Sequence, residues 1–401
     1  MGRSTDPIKT TTLEGGSEML SCQRELFAIE RDIAYLNAAS YSPLPLSVRA
    51  AGERGVADKV RPWRRDPEEA NRVVEETRQA AAGLIGASAD DIAVVGAASY
   101  GVATACANLG VAPGSRILLL EGEHSSLMLG FKSHAGATGA RLDIVPRPAD
   151  GDWTSAVLER IEQAGAPPLG MAALTPVHWT DGSILDLSRI APELRRRGAA
   201  FMIDATQTAS VMPLDVALLQ PDYLVFPAYK WLLGPYGIAF LYVAPSRQTG
   251  RPLEEHAFNR KGYDSASRMP VAELPFLDGA RRFDRGERDS FITIPMAHAG
   301  LRLIGEWGVE RIAARLRMLT DLLAERLTAL GITVPPRHLR SPHILGFRLP
   351  GGRTAQAARE MENAGIFASV RQEFLRLSPH VYNDEEDVGR FIDWARDRAR
   401  N

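Results

Sequence analysis

Phe201-Met202-Ile203-Asp204-Ala205-Thr206-Gln207, followed by Asp222-Tyr223-Leu224-Val225-Phe226-Pro227-Ala228-Tyr229-Lys230-Trp231-Leu232-Leu233-Gly234-Pro235-Tyr236-Gly237, decides the fold. Each half is a short apolar run of strand type that delivers one charged side chain near its end, Asp204 in the first and Lys230 in the second. In sheets of parallel strands these ends face the ligand. Gly234-Pro235-Tyr236-Gly237 signals a turn, short enough for an antiparallel return along Ile238–Val243. Working outward, Ile92–Val95, Arg116–Leu120, Arg141–Val145, Met171–Leu174, Ala200–Ile203 and Tyr223–Phe226 also read as strands. Helices such as Trp153–Gln163 and Leu187–Arg197 fall between them, the second ended by Gly198. The predicted class is α/β, a mainly parallel seven-stranded sheet covered by helices.

After a linker rich in Gly, Pro, Arg and Glu (245–286), Ile312, Leu316, Leu319, Leu323, Leu327 and Leu330 trace one apolar stripe on a long helix. A strand (His343–Leu349), a helix (Thr354–Asn363), two strands (Ile366–Val370, Phe374–Leu377) and a helix from Asp384 follow, a small α+β C-terminal domain. The expected division is a flexible tail (1–20), an N-terminal active-site segment (21–50), a large domain (51–265) and the small domain (266–401).

The 401 residues are 45% hydrophobic and 24% charged with a net charge of −2, an ordinary globular balance without the basic run a nucleic-acid partner requires. Only Cys22 and Cys106 occur, in no CxxC pair, which excludes a disulfide framework and a cysteine zinc site and predicts a reducing, cytoplasmic setting. No residue from Ile92 to Ser115 is charged. Gly96 and the polar Ser99, Tyr100, Thr104 and Asn108 nevertheless make this stretch a strand, a turn and a helix, so no membrane partner is expected. HExxH, P-loop and Gly-x-Gly-x-x-Gly patterns are absent, and no metal is expected.

A lysine placed after a strand in apolar company is desolvated, which favours its neutral, nucleophilic amine. The plain alternative is a capping Asp204 and a snorkelling Lys230. Further segments argue for chemistry: Gly96-Ala97-Ala98-Ser99-Tyr100-Gly101 between a strand and a helix, Glu123-His124-Ser125-Ser126 after another strand, Pro176-Val177-His178-Trp179-Thr180-Asp181-Gly182, and Arg376-Leu377-Ser378-Pro379-His380-Val381-Tyr382-Asn383. A helix start of the first kind offers free N–H groups to a phosphate. With the Asp204 and Lys230 segments, these resemble the class V aminotransferases of the pyridoxal-phosphate fold-type I superfamily, the group with cysteine desulfurases, kynureninase and isopenicillin N epimerase-like enzymes. The resemblance covers residues from roughly 30 to 400.

It implies a fold-type I large domain, a homodimer and pyridoxal 5'-phosphate as cofactor. Lys230 would be the Schiff-base residue, Asp204 the carboxylate on the ring nitrogen, and Gln207 would face the ring oxygen. Ser99, Tyr100 and Tyr229 would bind the phosphate, His124 would stack on the ring, and Arg376 would bind the substrate carboxylate. His178 and Trp179 would face the substrate where desulfurases have Ser-Asn, and Asn37 belongs to the entrance segment. Phe283-Asp284-Arg285-Gly286-Glu287-Arg288-Asp289-Ser290 resembles the segment that reaches a neighbouring subunit's phosphate, with Glu287 in place of the usual Thr.

No Cys follows Cys106, so the persulfide chemistry of the desulfurases is excluded. The expected activity is a β-eliminating carbon–sulfur lyase acting on a cysteine S-conjugate through an external aldimine. A class V aminotransferase or amino-acid epimerase is the alternative within the family, and a catalytically silent cofactor-binding protein the alternative outside it. Retention of both Lys230 and Arg376 favours an enzyme.

Overall fold

The computed structural model describes residues 19–263, 270–349 and 354–399. A two-residue strand β1 (Ala34–Tyr35) precedes the main sheet, formed by β2 (Ile92–Val95), β3 (Arg116–Leu120), β4 (Arg141–Val145), β5 (Leu169–Leu174), β6 (Ala200–Asp204), β7 (Tyr223–Pro227) and β8 (Ala239–Val243). Its order is β2-β8-β7-β6-β5-β3-β4, and β8 alone runs against its neighbours. Residues of β2, β3, β7 and β8 are buried along their whole length, the signature of strands covered on both faces. The antiparallel return predicted after Gly237 is β8.

The covering helices are α1 (Leu46–Lys59), α2 (Pro67–Gly83), α3 (Ala98–Asn108), α4 (Ser125–Thr138), α5 (Trp153–Glu162), α6 (Leu187–Arg196) and α7 (Val216–Leu219). Local chemistry sets their ends. Asp66, Asp152 and Asp186 cap α2, α5 and α6 by accepting from backbone N–H groups, and Gly139 stops α4 in the left-handed conformation. The uncharged stretch from Ile92 is β2 followed by α3, and no helix among the described residues is long and apolar enough to cross a membrane.

Beyond them, α8 (Thr293–Trp307) and α9 (Val309–Ala329) lead to β9 (Leu345–Phe347), α10 (Thr354–Asn363), β10 (Ile366–Phe367), β11 (Ser369–Arg371), β12 (Phe374–Leu377) and α11 (Glu385–Ala399). The strand predicted over Ile366–Val370 is two strands with different partners. β10 pairs in parallel with β1, whereas β11 joins an antiparallel sheet of order β11-β12-β9. The strand predicted from His343 begins at Leu345, because His343 turns its Nε2 to Gln207 O at 2.6 Å.

One core lies beneath the main sheet, and another gathers Leu36, Ile312, Leu316, Phe347, Leu375 and Phe391, so the entrance segment folds with the C-terminal part. The tail expected over 1–20 lies outside the described residues except for its last two, of which Leu20 is buried. The boundary expected at 265/266 lies outside the described residues; beyond it, Ala280 and Phe283 join one core cluster of the main sheet, and Ile294, Ala297 and Leu301 of α8 join the other. We propose that the small unit begins at α9.

Arg78 and Asp284, both fully buried, tie these parts together. Asp284 accepts from Arg78 Nη2 at 2.8 Å and from Val94 N at 2.7 Å, joining α2, β2 and the segment before α8. Breaking a buried ion pair strands the other charge, so Asp284→Ala is expected to cost about 3–5 kcal/mol in urea unfolding. A loss below about 1 kcal/mol, the worth of a surface pair, would contradict this.

Candidate active site

The carboxyl ends of β2, β3, β6 and β7 open into one cleft, the place where open α/β sheets bind small molecules. Of the candidates, Ser99, His124, Trp179, Asp204, Gln207, Tyr229 and Lys230 line it. Asn37, Tyr100, His178 and Arg376 do not.

Lys230 sits three residues past β7 in a buried loop. Ala228 N donates to Ile238 O at 3.0 Å, Gly234 N donates to Ala228 O at 2.9 Å, and Leu233 takes the left-handed φ of 56° to close the loop. Next to it Trp231, fully buried, donates its indole N–H to Gln207 Oε1 at 2.8 Å. Gln207 Nε2 donates to Ala39 O at 3.1 Å, so this amide fastens the entrance segment to the lysine loop and keeps one N–H for the cleft.

Burial, then the positive Arg376, pushes the Lys230 amine down to about 8, against the pull of Asp204. An ordinary lysine titrates near 10.5. The unfolded chain therefore binds the proton in a pH range where the folded chain has lost it, so stability rises with pH between about 8 and 10.5. Thermal melts of ligand-free protein should show a gain of roughly 3 kcal/mol across that range that is absent in Lys230→Met. The same slope in both proteins would contradict the depressed lysine.

Asp204 ends β6, and its Oδ1 accepts from Thr206 N at 2.9 Å. Glu123 is a second buried carboxyl on the cleft wall, to which the sequence assigned no role. Its Oε2 accepts from His124 N at 3.0 Å, whereas Oε1 has no partner. Burial, reinforced by the Asp204 charge, pushes it up to about 8. His124 caps α4, with Nδ1 accepting from Ser126 N at 3.4 Å, and its ring meets Trp179 edge to face at 5.5 Å. Burial and the nearby Lys230 lower its basicity, so the neutral imidazole is favoured.

The N-cap of α3 is Ala97, which has no side chain to bond the first N–H groups of the helix. Ser99 is therefore not a cap but the second residue of the helix, exposed to the cleft. Gly101 brings this helix start down onto the sheet: a Cβ there would lie 2.7 Å from Val225 Cγ2. Uncapped N–H groups at a helix start are an anion site in search of an anion.

Arg376 on β12 is 1% exposed. It donates from Nε to Ser369 Oγ at 3.0 Å, from Nη1 to Trp179 O, and from Nη2 to Ser40 Oγ at 2.9 Å. Arg371 Nη2 donates to the same Ser40 Oγ at 2.8 Å, and Ser40 gives its own proton to Asn37 Oδ1 at 2.7 Å. Among the described residues neither guanidinium is ion-paired with a carboxylate. Two cations thus converge on one neutral oxygen near Lys230, and a guanidinium without a carboxylate partner retains the capacity to take one. Arg371 and Ser40 were missed by sequence reasoning, and a second Arg five positions before Arg376 was the available signal.

Two expected residues point elsewhere. His178 is fully buried, stacked on Trp153 at 5.2 Å and held through Nε2 by Glu121 O at 3.0 Å, so it builds the loop that carries Trp179. The half-buried phenol of Tyr100 lies near Glu254 and Asp284.

The profile of the family described as Aminotransferase class-V matches residues 35–391. The "Uncharacterized aminotransferase YcbU" of Bacillus subtilis (strain 168) is 26% identical over 81% of this chain and 84% of its own length. The isopenicillin N epimerase of Amycolatopsis lactamdurans is 27% identical over 94% of this chain and 98% of its own. The solved complex of the cystine C-S lyase C-DES with its reaction product cysteine persulfide superposes with a TM-score of 0.81 at 20% identity, covering 92% of this chain and 98% of that one, which shows the fold. With a family match across nearly the whole chain, this protein belongs to the class-V aminotransferase family, whose members are pyridoxal-phosphate enzymes.

Proposed function

We propose that the chain is a carbon–sulfur lyase that splits an L-cysteine S-conjugate by β-elimination, taking up one water and releasing a thiol, ammonia and pyruvate. The observation that carries the choice is the cleft itself. It holds a buried amine able to lose its proton near neutrality, and neither cysteine of the chain lines it. Cys22 is held by Tyr382 O, and burial in α3 pushes the Cys106 thiol up to about 12. Sulfur therefore has no protein thiol to attack it and leaves with the electron pair of the Cβ–S bond, as the pair at Cα forms the new Cα–Cβ double bond. The cystine C-S lyase activity named for the structural neighbour is consistent with that outcome.

The residues present fit pyridoxal phosphate: uncapped N–H groups on α3 and the phenol of Tyr229 for its phosphate, a buried carboxylate at Asp204 for its ring nitrogen, and His124 against its ring. When bound, the cofactor supplies an electron sink for the charge left at Cα. Arg376, with Arg371 beside it, holds the substrate carboxylate and so fixes which Cα bond faces Lys230. Lys230 takes the Cα proton on Nζ. The Cβ–S bond then breaks, and the ammonium of Lys230 returns the proton to the departing sulfur.

Epimerisation is the second reading, favoured by the epimerase similar over 94% of the chain and by Glu123, a second buried acid in the cleft. We also propose a homodimer, whose contact would cover the exposed Val56, Val60 and Trp63 of α1 and the turn after it. A monomer mass in sedimentation velocity would overturn that. The reaction is tested by assaying ammonia and pyruvate from cysteine S-conjugates in deuterated water. Both products are expected in equal amounts; deuterium at Cα with inversion and no ammonia would make the enzyme an epimerase.

A further inference from the structure

The outer half of the cleft differs in character from its base. At the base stand Lys230, Asp204 and Glu123, whereas toward solvent the wall is Trp179, Tyr229 and Tyr236. Tyr229 and Tyr236 stack with ring centres 4.2 Å apart and planes 17° from parallel, yet Tyr236 remains 63% exposed. Trp179 is pinned by its indole N–H to Gly122 O at 2.8 Å and by its edge-to-face contact with His124. Tyr41, 54% exposed, stands close enough to Tyr236 to influence its phenol. Aromatic rings grouped at the rim of a cleft offer flat apolar faces on which a planar group can stack.

We infer that this rim is a subsite for a planar, apolar group carried beyond Cβ of the substrate. The inference rests on the proposed amino-acid chemistry and names the side of the substrate that chemistry leaves open. The alternatives are disfavoured by charge. A cationic side chain would enter a neighbourhood already holding Lys230, Arg371 and Arg376, with Arg371 lying 5.9 Å over the Trp179 ring. An anionic side chain would compete with the substrate's own carboxylate for Arg371, which Ser40 Oγ and Val370 O already engage. A ring needs neither, and the stacked tyrosines and the indole that line the same cleft offer it flat surfaces.

The test uses the cofactor-loaded enzyme and reads binding from the cofactor's visible spectrum with L-phenylalanine, L-alanine, L-aspartate and L-lysine as probes. L-Phenylalanine is expected to bind about tenfold more tightly than L-alanine. Tyr236→Ala should remove most of that preference and Tyr236→Phe should restore it, since the stacking face, not the hydroxyl, is what the ring meets. Equal affinities, a preference for aspartate or lysine, or a preference that survives Tyr236→Ala would overturn the inference. Turnover of S-phenyl-L-cysteine and S-methyl-L-cysteine separates it from the proposed reaction. If the phenyl conjugate binds better but neither is cleaved, the lyase reading fails and the subsite stands. If both are cleaved with equal kcat/KM, the subsite fails and the lyase stands.

Discussion

Lys230→Ala is expected to abolish the visible absorbance of the lysine-bound cofactor and to lower turnover by about four orders of magnitude or more. The same amine is asked to do two things, to anchor the cofactor and to take the Cα proton, and no other amine lines the cleft among the described residues. Both tasks need the neutral form. With the amine near 8, about a tenth of it is free at pH 7, against less than a thousandth for an ordinary lysine. Lys230→Arg should fail equally, because a guanidinium keeps its proton throughout this range. A Lys230→Ala enzyme that retains the band and a tenth of its activity would show that another residue carries the chemistry.

Arg376→Met should lower kcat/KM by about a hundredfold or more, the 2–5 kcal/mol lost when one partner of a desolvated charge pair is removed. The loss is expected mainly in KM, since the carboxylate is held in the bound substrate and in the transition state alike. Stability should move the other way. The guanidinium is buried with three neutral oxygens as partners, and burial, then Arg371, works against its charge. Replacing a buried unpaired cation by an apolar side chain of similar length removes that cost. The variant is therefore expected to melt at a higher temperature while losing activity. Lower stability with unchanged KM would make Arg376 a structural residue.

Much of this site was legible before any coordinates. The strands announced themselves because both faces of the sheet are covered, which makes each strand an unbroken apolar run, and a polar residue at the end of such a run has to serve a purpose. Asp204, Lys230 and the segment opening α3 were found in that way. What remained hidden was set by contacts distant in sequence. Ser40 meets Arg371 and Arg376 across 331 and 336 positions, and no local pattern links them. Within Pro176–Gly182 the pattern gave two adjacent aromatic candidates but not which faced inward. Trp153 decided it by stacking on His178 and leaving Trp179 to the cleft. The segment before α8 reads as a linker from its Gly, Pro and Arg content, and its buried tie to α2, the Arg78–Asp284 pair, spans 206 positions that no local pattern links.

The central claim is that Lys230 bears the cofactor. Reducing the loaded enzyme with borohydride and mapping its peptides by mass spectrometry tests this directly. A single modified peptide is expected, with the added cofactor mass on Lys230; the mass on Lys132, Lys261 or any other lysine would contradict the account.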